Sequence, residues 1–107
     1  MEYPAAQLTE ENFLNLFPAG KPILVDFYAT WCEPCKYLDE ILDELEKRLG
    51  EKALIYKLDV DEQGVLARTY HIMSVPTLML FKDGALLWRM AGFKLAHELE
   101  EEVLKHL

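Results

Sequence analysis

The sequence predicts a small α/β domain with a central mixed β-sheet flanked by helices on both faces. Three observations support this fold class. Helical and strand-like patterns alternate through the first part of the chain, a hairpin pattern follows, and an amphipathic helix closes the sequence. Parallel strands need crossover helices that pack on the sheet, whereas a hairpin joins antiparallel neighbours directly, so both kinds of pairing are expected.

Composition limits the size and the partners of this domain. The chain has 107 residues, of which 51% are hydrophobic, enough for one core, and a single domain over residues 1–107 is expected. Nineteen acidic and eleven basic residues leave a net charge of -8, which disfavours nucleic acid and anionic membranes as partners. Neither a signal-peptide pattern nor a membrane-spanning run is evident, and a soluble cytoplasmic protein is therefore expected.

The first three elements are predicted from capping residues and apolar runs. A short helix is expected from Thr9, an N-cap residue before acidic residues, to Phe17. Residues 23–29 are nearly all apolar, which is typical of a strand covered on both faces. A longer helix follows from Pro34, with apolar residues at helical spacing and Gly50 at its C-terminal cap.

The remaining elements complete the predicted sheet. Residues 53–60 read as a strand and residues 62–70 as a short helix. Residues 75–81 and 85–90 flank a Lys-Asp-Gly turn and predict a hairpin. In the last helix the acidic residues are expected to form a solvated face. The apolar face of this helix comprises Leu95, Leu99, Val103, Leu104 and Leu107.

Both cysteines, Cys32 and Cys35, lie between the first strand and the long helix. A structural zinc site needs about four ligands, and the three histidines lack the spacing that would complete one. The arginine of a cysteine phosphatase is missing, because Leu38 and Ile41 stand six residues after the two cysteines. A hydrolase that pairs one cysteine with His71 stays open, although it would leave the second cysteine without a role.

A redox role explains more features of this segment than the alternatives do. A structural disulfide that closes so small a loop would stabilise the fold little. The helix beginning near Pro34 should present unpaired amide groups and the positive end of its dipole to a Cys32 thiolate. Cys35 lies close to the same helical face and can reach Cys32, and Lys36 adds positive charge. The pair is therefore interpreted as a dithiol that forms a reversible disulfide.

The segments VDFYATWCEPCK, SVPTLMLFKDG and AGF together resemble the thioredoxin family, in order and over essentially the whole chain. The resemblance implies the thioredoxin fold and a reductase of protein disulfides that needs no metal and no dissociable cofactor. It also implies a monomer that a separate disulfide reductase supplies with electrons. An oxidase or isomerase of an oxidising compartment, and a non-catalytic binding module, remain alternatives.

The same resemblance assigns catalytic roles to named residues. Cys32, at the exposed strand-to-helix turn, is the expected nucleophile, and Cys35, one turn deeper, resolves the mixed disulfide. Asp26 interrupts an apolar strand, and burial should raise its pKa so that it can accept the proton of Cys35. Lys57 is the expected partner of the buried Asp26.

Substrate contacts are expected around Cys32. Pro76, which belongs with the expected catalytic residues, resembles the family's cis-proline that lies against the active-site sulfurs, and the backbone of Val75 could pair with an extended substrate segment. Trp31 and Gly92 would complete an apolar ring at which a partner docks. The substrate-contacting residues between the cysteines are expected to be Glu33 and Pro34. Glu33 replaces the family's usual glycine and should make the couple slightly more reducing, because a carboxylate disfavours the nearby thiolate.

Overall fold

The computed structural model describes residues 6, 7, 9, 13 and 20–107. The strands are β1 (Ala6–Gln7), β2 (Ile23–Tyr28), β3 (Leu54–Asp59), β4 (Thr77–Lys82) and β5 (Ala85–Ala91). The helices are α1 (Glu33–Leu49), α2 (Gly64–Thr69) and α3 (Ala96–Leu104), and a 3-10 turn covers Gly50–Lys52. The helix predicted over residues 9–17 lies outside the described residues except for Thr9 and Phe13.

The strands form one mixed sheet in the order β1-β3-β2-β4-β5. Strand β2 is parallel to β3 and antiparallel to β4, and the β4–β5 hairpin is antiparallel. The predicted mixture of parallel crossovers and a terminal hairpin is therefore confirmed. Strand β1, which pairs parallel with β3, was not predicted, because two residues carry no readable periodicity.

Helices cover both faces of the sheet, as predicted. One face packs Leu24, Leu78 and Leu80 against apolar residues of α1 and α3. The opposite face includes Phe27 and packs against residues in and after α2, among them Leu66. Successive residues of β2 point to opposite faces, so Asp26 shares the α1 side of the sheet with Leu24.

Two elements begin two residues later than the sequence pattern predicts. The Asp59 side chain accepts the N–H groups of Asp61 and Glu62 at 2.9 and 3.3 Å, which holds these residues in a turn ahead of α2. Strand β4 begins at Thr77 and not at Val75, since the intervening proline has no N–H to donate to a sheet partner.

Candidate active site

The cysteine pair lies at the N-terminus of α1, just beyond the carboxyl end of β2. Cys32 is the N-cap residue, and its Sγ accepts the N–H of Cys35 at 3.2 Å. The two cysteines form a disulfide with their Cα atoms 5.3 Å apart. A helix-end amide therefore points at the Cys32 sulfur, where it would stabilise negative charge on a thiolate.

The turn that carries the cysteines is exposed, whereas both cysteines are buried. Trp31, Glu33 and Pro34 are exposed, as the prediction of an exposed turn requires. Cys32 and Cys35 are each only 3% exposed, so the predicted difference in depth between them is wrong for this oxidised form. The disulfide packs in a small apolar cluster that includes Ala29, which shields Cys32 as well as Cys35.

Asp26 is a fully buried carboxyl group on the α1 side of the sheet. Among the residues that the structure describes, neither of its carboxyl oxygens has a hydrogen-bond partner. Burial raises the pKa of Asp26 to about 7, the charge of Lys57 opposes this shift, and Asp39 reinforces it. A carboxyl group in this state can exchange a proton near neutral pH.

Lys57 acts on Asp26 through its charge, as expected, but its ion pair is with Asp39 and not with Asp26. The two residues are register neighbours on β3 and β2, but the Lys57 ammonium pairs with Asp39 Oδ1 at 2.9 Å. It also lies 4.2 Å from the ring centroid of Tyr28. Asp39 therefore competes for the lysine, whose charge still lowers the pKa of Asp26 from a distance. Helical spacing from Cys35 could have placed Asp39 near the site, since it lies four residues on.

An apolar groove with a volume of about 180 Å³ lies beside the disulfide. Trp31 is 68% exposed on one side of it, and its indole N–H donates to Asp61 Oδ2 at 2.9 Å. Met73 is 90% exposed on the opposite loop. Sequence reasoning identified only two of the lining residues, because the others come from separate loops. This groove, called the docking groove below, is lined by Trp31, Val60, Ile72, Met73, Ser74 and Val75.

Pro76 and Gly92 meet next to the docking groove. The Val75–Pro76 peptide bond is cis, which confirms that prediction. The Gly92 N–H donates to the Pro76 carbonyl at 2.8 Å. Gly92 has a φ of +95°, and nothing lies within 4 Å of the position that a Cβ atom would take. The open space expected at Gly92 is therefore present, and its backbone conformation favours glycine.

The geometry suits reversible exchange of two electrons between dithiol and disulfide. Across the described part of the chain, no group of three or more His, Cys, Asp or Glu side chains is placed to hold a metal ion. The reactive group is the disulfide of Cys32 and Cys35, which lies at a helix end that would stabilise a Cys32 thiolate, and the same domain holds a buried acid, Asp26. The fold and the site together define a thiol–disulfide oxidoreductase.

A family model described as Thioredoxin matches residues 4–105. The chain belongs to the thioredoxin family and is a protein-disulfide reductase. It is 49% identical to a thioredoxin of Staphylococcus aureus over 101 residues, which cover 94% of this chain and 96% of the relative. It is 46% identical to a thioredoxin of Bacillus subtilis over 85 residues, which cover 79% of this chain and 82% of the relative.

Solved structures of thioredoxins share the fold. The oxidised mitochondrial thioredoxin 3 of Saccharomyces cerevisiae superposes with a TM-score of 0.84 at 32% identity and covers 94% of each chain. A chloroplastic thioredoxin z superposes with a TM-score of 0.86 at 28% identity, covering 98% of this chain and 96% of its own. These similarities confirm the predicted thioredoxin fold.

Replacing Glu33 with glycine is expected to raise the reduction potential by about 10 to 20 mV, because the variant loses a carboxylate that disfavours the Cys32 thiolate. The effect is small since Glu33 is exposed and pairs with Lys36 at 3.0 Å. Equilibration with dithiothreitol buffers measures the potential. Glu33→Gln is the matched control, because it removes the charge without glycine's backbone freedom and should give a similar shift. A lower potential in both variants would contradict this electrostatic explanation.

Proposed function

We propose that Cys32 is the nucleophile and Cys35 the resolving thiol of this reductase. The Cys32 thiolate attacks a substrate disulfide, forms a mixed disulfide and releases one substrate thiolate. Cys35 then loses its proton and attacks the Cys32 sulfur, which releases the second substrate thiolate and leaves the disulfide of the oxidised protein. The observation that carries this assignment is the hydrogen bond from the Cys35 N–H to Cys32 Sγ at the start of α1.

Asp26 is the proposed proton acceptor for Cys35. Its raised pKa of about 7 lets it take up a proton near neutral pH and return it to solvent between turnovers. Lys57 and Asp39 are proposed to adjust this pKa in opposite directions through their charges. The missing hydrogen-bond partners of the Asp26 oxygens support a proton-carrying role over a purely structural one.

The proposed substrate is an extended protein segment that carries a disulfide and lies in the docking groove. Trp31 and Val75 offer apolar contacts, and the Val75 backbone, ahead of β4, is proposed to pair with the substrate main chain. Pro76 and Gly92 border this segment, and Glu33 with Pro34 faces it from the exposed turn. The apolar lining and the position beside the disulfide support this arrangement.

The proposed cellular setting is the cytoplasm, where a separate disulfide reductase returns electrons to a monomeric protein. The net charge of -8 argues against nucleic acid or an anionic membrane as the partner. Every helix in the described ranges is too short or too polar to cross a bilayer.

A redox titration tests the direction of the reaction. The purified protein is equilibrated in dithiothreitol buffers, and the fluorescence of Trp31 beside the disulfide reports the oxidised fraction, with Trp88 as background. We expect one two-electron transition near about -270 mV, the reference potential of thioredoxin itself. A transition at about -180 mV or above would favour an oxidase or isomerase instead. The absence of any transition would favour a binding module without catalysis.

A further inference from the structure

The loop that forms one side of the docking groove begins at an unusual end of α2. The His71 N–H donates to the Arg68 carbonyl at 3.1 Å and the Ile72 N–H to the Ala67 carbonyl at 2.9 Å. This pair of bonds is a Schellman motif, in which the left-handed position is usually glycine. Here the position is His71, with a φ of 53°. A side chain in this conformation destabilises the turn relative to glycine.

Arg89 holds this turn from the sheet. It lies on β5, where it pairs with Met79 of β4, and its guanidinium reaches across to the helix end. Nη1 donates to the Tyr70 carbonyl at 2.6 Å and Nη2 to the His71 carbonyl at 2.9 Å. The charge of the guanidinium also suits the negative end of the α2 dipole. Two donors from one planar group therefore fix both carbonyls of the left-handed turn.

The turn that Arg89 holds continues directly into the loop that lines the docking groove. Ile72, Met73, Ser74 and Val75 follow His71 without interruption and supply four of the six lining residues. Ile72 packs against the sheet, whereas Met73 is 90% exposed and receives little support from packing. The conformation of this loop therefore depends on the turn at its start as well as on the buried Pro76 at its end.

We propose that Arg89 is a positioning residue that sets the docking loop, residues 72–75, for protein substrates. The proposal rests on the proposed function, because it assigns this loop to substrate docking. Arg89 acts through the Tyr70 and His71 carbonyls and takes no part in thiol chemistry. Its loss should weaken the docking of a protein disulfide while leaving the reactivity of Cys32 unchanged.

The test compares a protein disulfide with a small one in the variant Arg89→Met, which keeps an unbranched apolar side chain but no donor. Protein reduced with dithiothreitol and freed of reductant is mixed with excess insulin or with dithiobis(nitrobenzoic acid). Tryptophan fluorescence and released thiol follow the single turnover. We expect the half-saturating insulin concentration to rise by about three- to tenfold, because the two exposed hydrogen bonds of Arg89 hold the loop and do not contact the substrate. The maximal rate, the rate with the small disulfide and the reduction potential should stay unchanged.

Arg48→Met is the matched control. Arg48 is a surface arginine at the far end of α1 that pairs with Glu44 and Glu100, so the control makes the same substitution and the same change in net charge. This control should have the same half-saturating insulin concentration as the wild-type protein. Arg89→Lys retains the charge but not the bidentate geometry of arginine. Its half-saturating insulin concentration should lie between those of the wild type and of Arg89→Met. Urea unfolding establishes that each variant is folded at the assay temperature.

Two results would overturn the role of Arg89. If the reaction slowed equally with insulin and with the small disulfide, the effect of the substitution would be a general structural one. If the half-saturating insulin concentration were unchanged, the docking loop would not need the hydrogen bonds of Arg89. If Arg89→Met unfolds, Arg89→Lys keeps the test decisive: it should still raise the half-saturating insulin concentration above the wild-type value, and no rise would overturn the proposal. Failure of the proposed function is distinct, because wild-type protein would then not reduce insulin.

Discussion

Replacing Cys35 with serine is expected to stop turnover and to trap Cys32 in a mixed disulfide with its substrate. The serine hydroxyl cannot attack the Cys32 sulfur, so the second exchange step fails while the first remains possible. In a single turnover of pre-reduced protein without free reductant, release of the second substrate thiol should slow by more than about a thousandfold, as for other members of a covalent catalytic set. Mass spectrometry after mixing with insulin should show one adduct that dithiothreitol releases.

Cys32→Ser is the control for this trap. It removes the proposed nucleophile, the N-cap residue of α1, and should be inactive without forming an adduct. The Cys32 sulfur accepts the helix-end N–H of Cys35, and the proposed roles give the remaining Cys35 no part in the first attack on a substrate. An adduct on Cys35 at a rate similar to that on Cys32 would reverse the proposed roles of the two cysteines.

Replacing Asp26 with asparagine is expected to make the dependence of stability on pH less steep. Asp26 has no exposed surface, and its pKa lies at about 7 in the fold against an ordinary value of 3.8. The folded protein therefore binds this proton more tightly than the unfolded chain does. Between these two pKa values the unfolded state loses the proton first, so the wild-type protein loses stability as pH rises.

The size of this effect follows from the difference in pKa. About three pKa units correspond to about 4 kcal/mol of destabilisation, complete above about pH 8 and absent well below about pH 4. Asparagine does not titrate, so Asp26→Asn escapes this loss. Its free energy of unfolding, relative to wild type, should rise by about 3 kcal/mol between about pH 5 and pH 8.

Urea unfolding of the oxidised proteins across this pH range measures the difference without interference from thiol titration. The same variant should also slow the resolving step by on the order of a hundredfold, because it removes the proposed proton acceptor of Cys35. A stability difference that does not vary with pH would show that Asp26 keeps an ordinary pKa in the fold.

The architecture was readable from sequence because each major element has a strong local signal. The apolar run of β2, the helical spacing of α1 and the turn before β5 each depend on neighbouring residues only. The site was readable for a similar reason, since Cys32 and Cys35 are close in sequence. Their placement at a helix start follows from the strand-to-helix boundary.

The partners of the buried charges were not readable in this way. Whether Lys57 contacts Asp26 or Asp39 depends on how α1 packs over β3, which no local pattern specifies. The equal burial of the two cysteines likewise depends on tertiary packing around the disulfide. Arg89 carried no signal at all, because an arginine on an exposed strand is ordinary until its carbonyl partners are known.

The disulfide closes a ring across only three positions of sequence at one end of a long helix. Beyond that end, α1 is anchored by Leu38, Leu42 and Leu45, each of which is fully buried. Reduction of the disulfide therefore removes a covalent link in the first helical turn and leaves the part of the helix that these leucines anchor in place. A partner that distinguishes the reduced form of this protein from the oxidised form therefore has to contact that turn directly.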